Sequence, residues 1–214
     1  MDACSSVFLV LLFLFNWREG GSFKTAISSS LLSPVMSEDG AVEVPSWFEA
    51  IKTSPRATTL DLREWLDEEW RGKEGGWSGS DYMHSKIAAC RIVDYCLLNP
   101  EDPSGLPSLR GLCHFTRRSE SHKGFCHGGS ICALMDDCIG WLGFCHTGEV
   151  QPWTGFTAQV NTSLKSPVPV GAVLSIEGTI DRIEGRKVWC TANLVDPVSG
   201  CLHGSAQGLF LKNK

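Results

Sequence analysis

The stretch Gly124-Phe125-Cys126-His127-Gly128-Gly129 sets three glycines around one imidazole, and Asp136 follows His127 by nine positions. A glycine-rich turn lets whatever docks there approach the backbone closely, because Gly128 has no side chain to hold it off. A helix begins at this turn, so the Gly128 N–H and the positive end of the helix dipole point outward together. That arrangement stabilises negative charge developing on a carbonyl oxygen under attack. Asp136 falls about two and a half turns into the same helix. A carboxylate in a largely apolar helix must be paired, neutralised or functional. His127 is read as holding the turn by hydrogen bonds from its imidazole, with general-base action as the alternative.

These residues need elements to position them. Ile131, Leu134, Met135, Cys138 and Ile139 recur at i, i+3, i+4 spacing within Ser130 to Trp141, which predicts a buried helix. Beyond Gly155 the period changes to that of strands, predicted at Phe156 to Leu164, Val173 to Ile183, Lys187 to Val195 and Leu202 to Leu211. The turn signals Pro167-Val168-Pro169-Val170-Gly171, Gly185 and Pro197-Val198-Ser199-Gly200 separate them. A further strand is expected near Leu112 to Thr116. Upstream, Trp47, Phe48, Ile51, Leu60, Leu62, Trp65, Leu66 and Trp70 suggest short amphipathic helices. Ile87, Ala88, Ile92, Val93, Cys96 and Leu97 read as a second helical stripe ended by Asn99-Pro100. A strand, a helix and then a run of antiparallel strands make an α+β layout in which the sheet curls around one apolar helix.

The chain has 214 residues, 43% of them hydrophobic, enough for one globular domain and an N-terminal extension. Against 24 acidic side chains stand 19 basic ones, a net charge of −5, so no broad basic surface exists to collect nucleic acid. The ten cysteines are scattered and form no CxxC pair, which favours reduced, buried thiols over a disulfide framework or a zinc site. No nucleotide or metalloprotease motif occurs, and neither a metal nor an organic cofactor is expected. Val7 to Phe15 is an apolar run too short to span a bilayer. Residues 1–42 are therefore expected to be a targeting or disordered segment. A cytoplasmic or mitochondrial address is favoured, with a secretory signal as the alternative. The expected organisation continues with a helical extension over 43–107 and a globular domain over 108–214.

The text G-F-x-H-G-G-S-I-C-A-L-M-D at 124–136, T-A-Q-V-N-T-S-L-K-S-P-V-P at 157–169 and I-E-G-R-K at 183–187 resembles the hot-dog-fold acyl-CoA thioesterases, in the branch of thioesterase superfamily members four and five. The resemblance covers about the last hundred residues. It implies a hot-dog fold, hydrolysis of medium- or long-chain acyl-CoA to free acid and CoA, and a homodimer or tetramer. It assigns Asp136 as the acid that activates water or attacks the carbonyl itself, across a dimer interface from Gly128. Asp137, off the motif spacing, is read as solvated helix face. The resemblance also gives Thr157 a role in placing the attacking water, against a plain strand threonine. Gly129 belongs to the substrate-binding turn, and Asn161 either lines the substrate groove or makes a buried hydrogen bond. Lys165, Arg186 and Lys187 are candidate contacts for CoA phosphates, against ordinary exposed strand-end cations.

Two rival readings use the same residues. A non-catalytic acyl-CoA-binding or kinase-regulatory protein is similar in sequence but needs no acid, and the intact Asp136 argues against it. A hydratase would need a His/Asp pair in another motif. Within one helix Gly128 and Asp136 lie about 12 Å apart at 1.5 Å per residue, too far for one carbonyl to touch both. The spacing therefore predicts a site shared between two antiparallel helices.

Overall fold

The computed structural model describes residues 42–214. The expected targeting segment lies outside them but for its last residue. The chain opens with α1 (Ser46–Lys52), β1 (Ala57–Thr59), α2 (Arg63–Leu66) and α3 (Glu68–Lys73). Next come β2 (Cys90–Leu98), β3 (Ser108–Phe115), β4 (Glu120–His122), β5 (Phe125–Cys126) and α4 (Gly128–Phe144). It closes with β6 (Gly155–Leu164), β7 (Val173–Glu184), β8 (Lys187–Val195) and β9 (Leu202–Lys212). Seven strands form one antiparallel sheet in the order β1-β2-β3-β7-β8-β9-β6, and β4 pairs only with β5. The sheet wraps α4, giving the hot-dog arrangement expected.

The helix is held by apolar burial. Ile131, Leu134, Met135, Cys138, Ile139 and Leu142 pack with Leu174, Ile176, Val188, Ala192, Leu194 and Phe210 from the strands. Close approach is made possible by missing side chains: a Cβ at Gly208 would lie 2.4 Å from Ile139 Cδ1, and one at Gly178 would lie 2.7 Å from Leu142 Cδ1. A second small cluster lies beneath α1, where Phe48 packs with Cys96 and Leu112.

Two elements depart from expectation. From Cys90 on, the predicted helical stripe is strand β2, paired along its length with β3, and β1 at Ala57–Thr59, within the stretch expected to be helical, adds a further strand to the same sheet. Both faces of β2 are covered, Ile92 and Tyr95 joining the main core and Cys96 joining Phe48 of α1. A strand buried on two faces loses the two-residue alternation that would mark it. A register shift between Ile92 and Asp94 disturbs the period further. Six of the nine described cysteines are buried within these elements, and burial pushes the Cys145 and Cys190 thiols up to about 12.

Candidate active site

The turn before α4 is braced from two sides. Gly124 adopts φ +84°, and its N–H donates to Glu120 Oε1 at 2.7 Å. The Pro167-Val168-Pro169 segment lies against it, with Cys126 N–H donating to Val168 O at 2.9 Å and Val170 N–H to Gly124 O at 3.0 Å. Buried His203 ties that segment down through its ring Nδ1, 2.9 Å from Pro167 O.

His127 is the N-cap of α4. Its Nδ1 accepts the Gly129 N–H at 2.8 Å, and its carbonyl accepts both the Ser130 N–H (3.0 Å) and the Ser130 hydroxyl (2.6 Å). This bond fixes the imidazole against the turn. With these donors satisfied, the Gly128 N–H has no partner among the described residues, and as the first helical residue it has no carbonyl one turn behind it. Gly128 is half-buried, and a Cβ there would meet the Leu164 Cδ1 methyl at 2.6 Å. A bare donor thus opens at the positive end of a 17-residue helix, under an aliphatic side chain.

Farther along α4, the buried positions leave one exposed stripe that carries Gly129, Cys132 and Asp136. Asp136 is exposed, neither paired nor buried among the described residues. The buried carboxylate is its neighbour. Asp137, read from sequence as solvated, has a side chain only 14% exposed. Its Oδ2 accepts the Tyr95 hydroxyl at 2.9 Å and lies 3.7 Å from His84 Nε2. Burial pushes its carboxyl above the usual carboxylate range, opposed by His84 and the Tyr95 O–H. His84, Asp81 and Tyr95 were not singled out from sequence, because a histidine in a Gly/Ser loop carries no periodic signal and its partner is more than fifty positions away.

The other candidates divide by strand end and by sheet face. Strand β6 runs beside α4, with the half-buried Thr157 hydroxyl 3.3 Å from where a Gly140 Cβ would be, one turn past Asp136. At its far end Leu164 covers Gly128, and exposed Lys165 follows. Asn161 alternates with Val160 and Thr162 and faces the other way. It is exposed and shares an outer groove with Asp181, Trp189 and Gln207, so the structure places it apart from Gly128 and excludes the buried hydrogen bond. Arg186 and Lys187 lie in the β7–β8 turn, beside the start of β6: Lys187 pairs with Leu211, Gly155 pairs with Lys212, and Arg186 Nε donates to Lys212 O at 2.8 Å. Within one chain they stand a strand's length from Lys165. No cluster of three potential metal ligands occurs among the described residues.

Residues 123–199 match the family model described as the Thioesterase superfamily. Curated relatives include the acyl-coenzyme A thioesterase THEM4 of Xenopus laevis, 34% identical over 94 residues that cover 44% of this chain and 40% of that protein. The human acyl-coenzyme A thioesterase THEM5 is 30% identical over 107 residues, 48% of this chain and 40% of its own. The chain thus spans about two fifths of these relatives' length. Among solved structures, the PaaI protein of E. coli is similar at 12% identity and a TM-score of 0.44, covering 58% of this chain and 80% of that one. The turn, the capped helix and the strands behind them, from Lys123 to Ser199, are the part of the chain that is similar to the Thioesterase superfamily.

Proposed function

We propose that the protein hydrolyses acyl-CoA thioesters to free acid and CoA. The observation that carries the reading is the unpartnered Gly128 N–H at the start of α4 together with an exposed Asp136 on the same helix. The N–H and the helix dipole polarise the thioester carbonyl and hold the oxyanion. Asp136 activates water or attacks the carbonyl carbon, His127 holds the turn, and Thr157 beside Gly140 places the water. The Cα atoms of Gly128 and Asp136 stand about 12 Å apart along the helix. The attacking carboxylate therefore comes from the antiparallel α4 of a second copy, and each dimer has two composite sites. The exposed stripe of α4 and the edge of β6, which has no partner strand among the described residues, support such a pairing, since an unpaired strand edge is a template for another chain. Lys165, next to the oxyanion turn, is the cation best placed for a CoA phosphate, with Arg186 and Lys187 at the other strand end available to the partner's site. Relatives named as acyl-coenzyme A thioesterases over the same residues support the substrate class.

The test is turnover of acyl-CoAs of graded chain length by the purified chain, followed as loss of thioester absorbance. A thiol reagent would also count the protein's own accessible sulfurs, of which Cys132 is exposed. Saturable, length-dependent hydrolysis by wild type that Asp136→Asn abolishes is the expected result. Tight acyl-CoA binding without turnover would instead establish the binding-module alternative.

A further inference from the structure

Behind α4 lies a buried polar chain that the mechanism above does not use. Arg71 is clamped by carbonyls, its Nε donating to Gly79 O at 2.8 Å and its Nη1 to Glu64 O at 2.9 Å, and Nη1 stands 3.9 Å from Asp81 Oδ2. Asp81 Oδ1 accepts the backbone N–H groups of Met83 and His84, each at 2.9 Å, and faces His84 Nδ1 at 2.8 Å. On the other side of the ring, His84 Nε2 lies 3.7 Å from Asp137 Oδ2, which also holds the Tyr95 hydroxyl. His84 is 1% exposed, and its Nε2 has no hydrogen-bond partner among the described residues.

An imidazole between two carboxylates has one protonation state that suits both. The neutral ring offers an N–H to one side and a lone pair to the other, whereas the imidazolium donates from both nitrogens. Burial pulls His84 toward the neutral form, but Asp137 and Asp81 outweigh it and hold the imidazole above its ordinary value, against Arg71. The thiols facing Asp137, Cys90 and Cys138, are kept uncharged by burial, which raises both well above the usual range. Tyr95 is raised in the same way and donates as a neutral phenol. The remaining charge nearby is Asp136, on the same helix.

Resting on the reading of Asp136 given above, we propose that Asp81 and His84 are positioning residues for the hydrolysis. Fixed by Asp81, the imidazolium grips Asp137 and sets the rotation of α4. Residues 136 and 137 are about 100° apart around the helix, so seating Asp137 inward turns Asp136 outward toward the thioester. Neither Asp81 nor His84 touches the substrate.

The test compares the full-length wild type with His84→Asn and His84→Gln. The Asn amide reaches the place of Nδ1 and keeps only Asp81, while the longer Gln amide reaches the place of Nε2 and can hold Asp137. His84→Asn is expected to lower kcat by about 10- to 100-fold with KM within about twofold, since a displacement near 1 Å at the reacting groups has such an effect. His84→Gln is expected to recover most of that loss. In wild type, kcat is expected to fall as pH rises beyond the ordinary imidazole value of about 6.5 and through the raised value of His84. His84→Gln should show no fall there. Full kcat in His84→Asn, equal losses in both variants with equally lowered melting temperatures, or a fall retained in His84→Gln overturns the proposal. The wild-type profile needs no variant, and a flat one overturns it even if both variants fail to fold. An active wild type matched by its His84 variants refutes the positioning role alone, whereas an inactive wild type refutes the functional reading and this inference with it.

Discussion

Complementation between two dead chains tests the proposed shared site directly. The chains are Asp136→Asn, nearly isosteric at an exposed position, and Gly128→Val, whose added carbons meet first the terminal methyl of Leu164, a side chain 54% exposed and free to turn aside. Both are therefore expected to fold and dimerise like wild type. Alone, each has two ruined sites, and the loss of the acid or of the oxyanion donor leaves about 1% of kcat or less. Co-refolded at equal concentration, about half of the dimers are mixed. In a mixed dimer one site joins the intact Gly128 of the first chain to the intact Asp136 of the second, and the other site joins the two substituted positions. One good site in half of the dimers gives about a quarter of wild-type activity, at least tenfold above either parent. The assay is acyl-CoA turnover after co-refolding, with tagged chains verifying that mixed dimers form. Mixed dimers present at the expected fraction with parental activity would show that both groups act within one chain.

Other substitutions probe the packing that holds the site. Asp137→Ala leaves the Nε2 side of the buried His84 facing a cavity, and urea unfolding is expected to show a loss of about 3 kcal/mol. The His84 ion pairs stabilise the fold fully below the unfolded imidazole value of about 6.5, and this contribution disappears as pH rises through the raised folded value. The stability difference between wild type and His84→Asn should therefore be large near pH 5.5 and shrink toward pH 9. Asp81 acts in the opposite sense: His84 and two backbone N–H groups lower its carboxyl against the upward pull of burial, so its stabilisation is lost on acidification below about pH 4. Gly208→Val places carbon 2.4 Å from Ile139 Cδ1 and is expected to destabilise by about 1–3 kcal/mol, read as a lowered melting temperature.

What the sequence made legible was whatever is encoded locally. The four strands after Gly155 have punctuating turns, and each strand lies within a residue or two of its expected bounds. The helix showed its apolar period, although it begins at Gly128, two residues before the apolar pattern starts, because His127 caps it. Strand β2 was hidden because α1 covers one of its faces and the main core the other, so Ile92, Val93, Cys96 and Leu97 fall by coincidence at helical intervals. Asp137 was read as solvated for a related reason. Which of two adjacent carboxylates turns inward depends on Tyr95 and His84, which are distant in the chain and reach α4 only once it is seated. The sheet face that Asn161 takes was not legible, since one step along a strand changes it and a register shift lies between Thr157 and Gln159.

Strand order also sets when the site is assembled. β6 supplies Thr157 and Leu164, yet among the described residues its one neighbour in the sheet is β9, the last of the described strands, with Gly155 opposite Lys212 and Leu164 opposite Gly204. As the chain leaves the ribosome, α4 and β6 emerge together but cannot settle together. β6 waits with both edges bare until the β7–β8–β9 meander is complete. During that interval the glycine turn at Gly128 lacks its Leu164 cover, and the apolar side of β6 faces solvent, a period of exposure to mispairing that grows with every delay in synthesis past Gly171. A premature stop anywhere in the last strand would thus dismantle the proposed active centre although its principal residues had all been made.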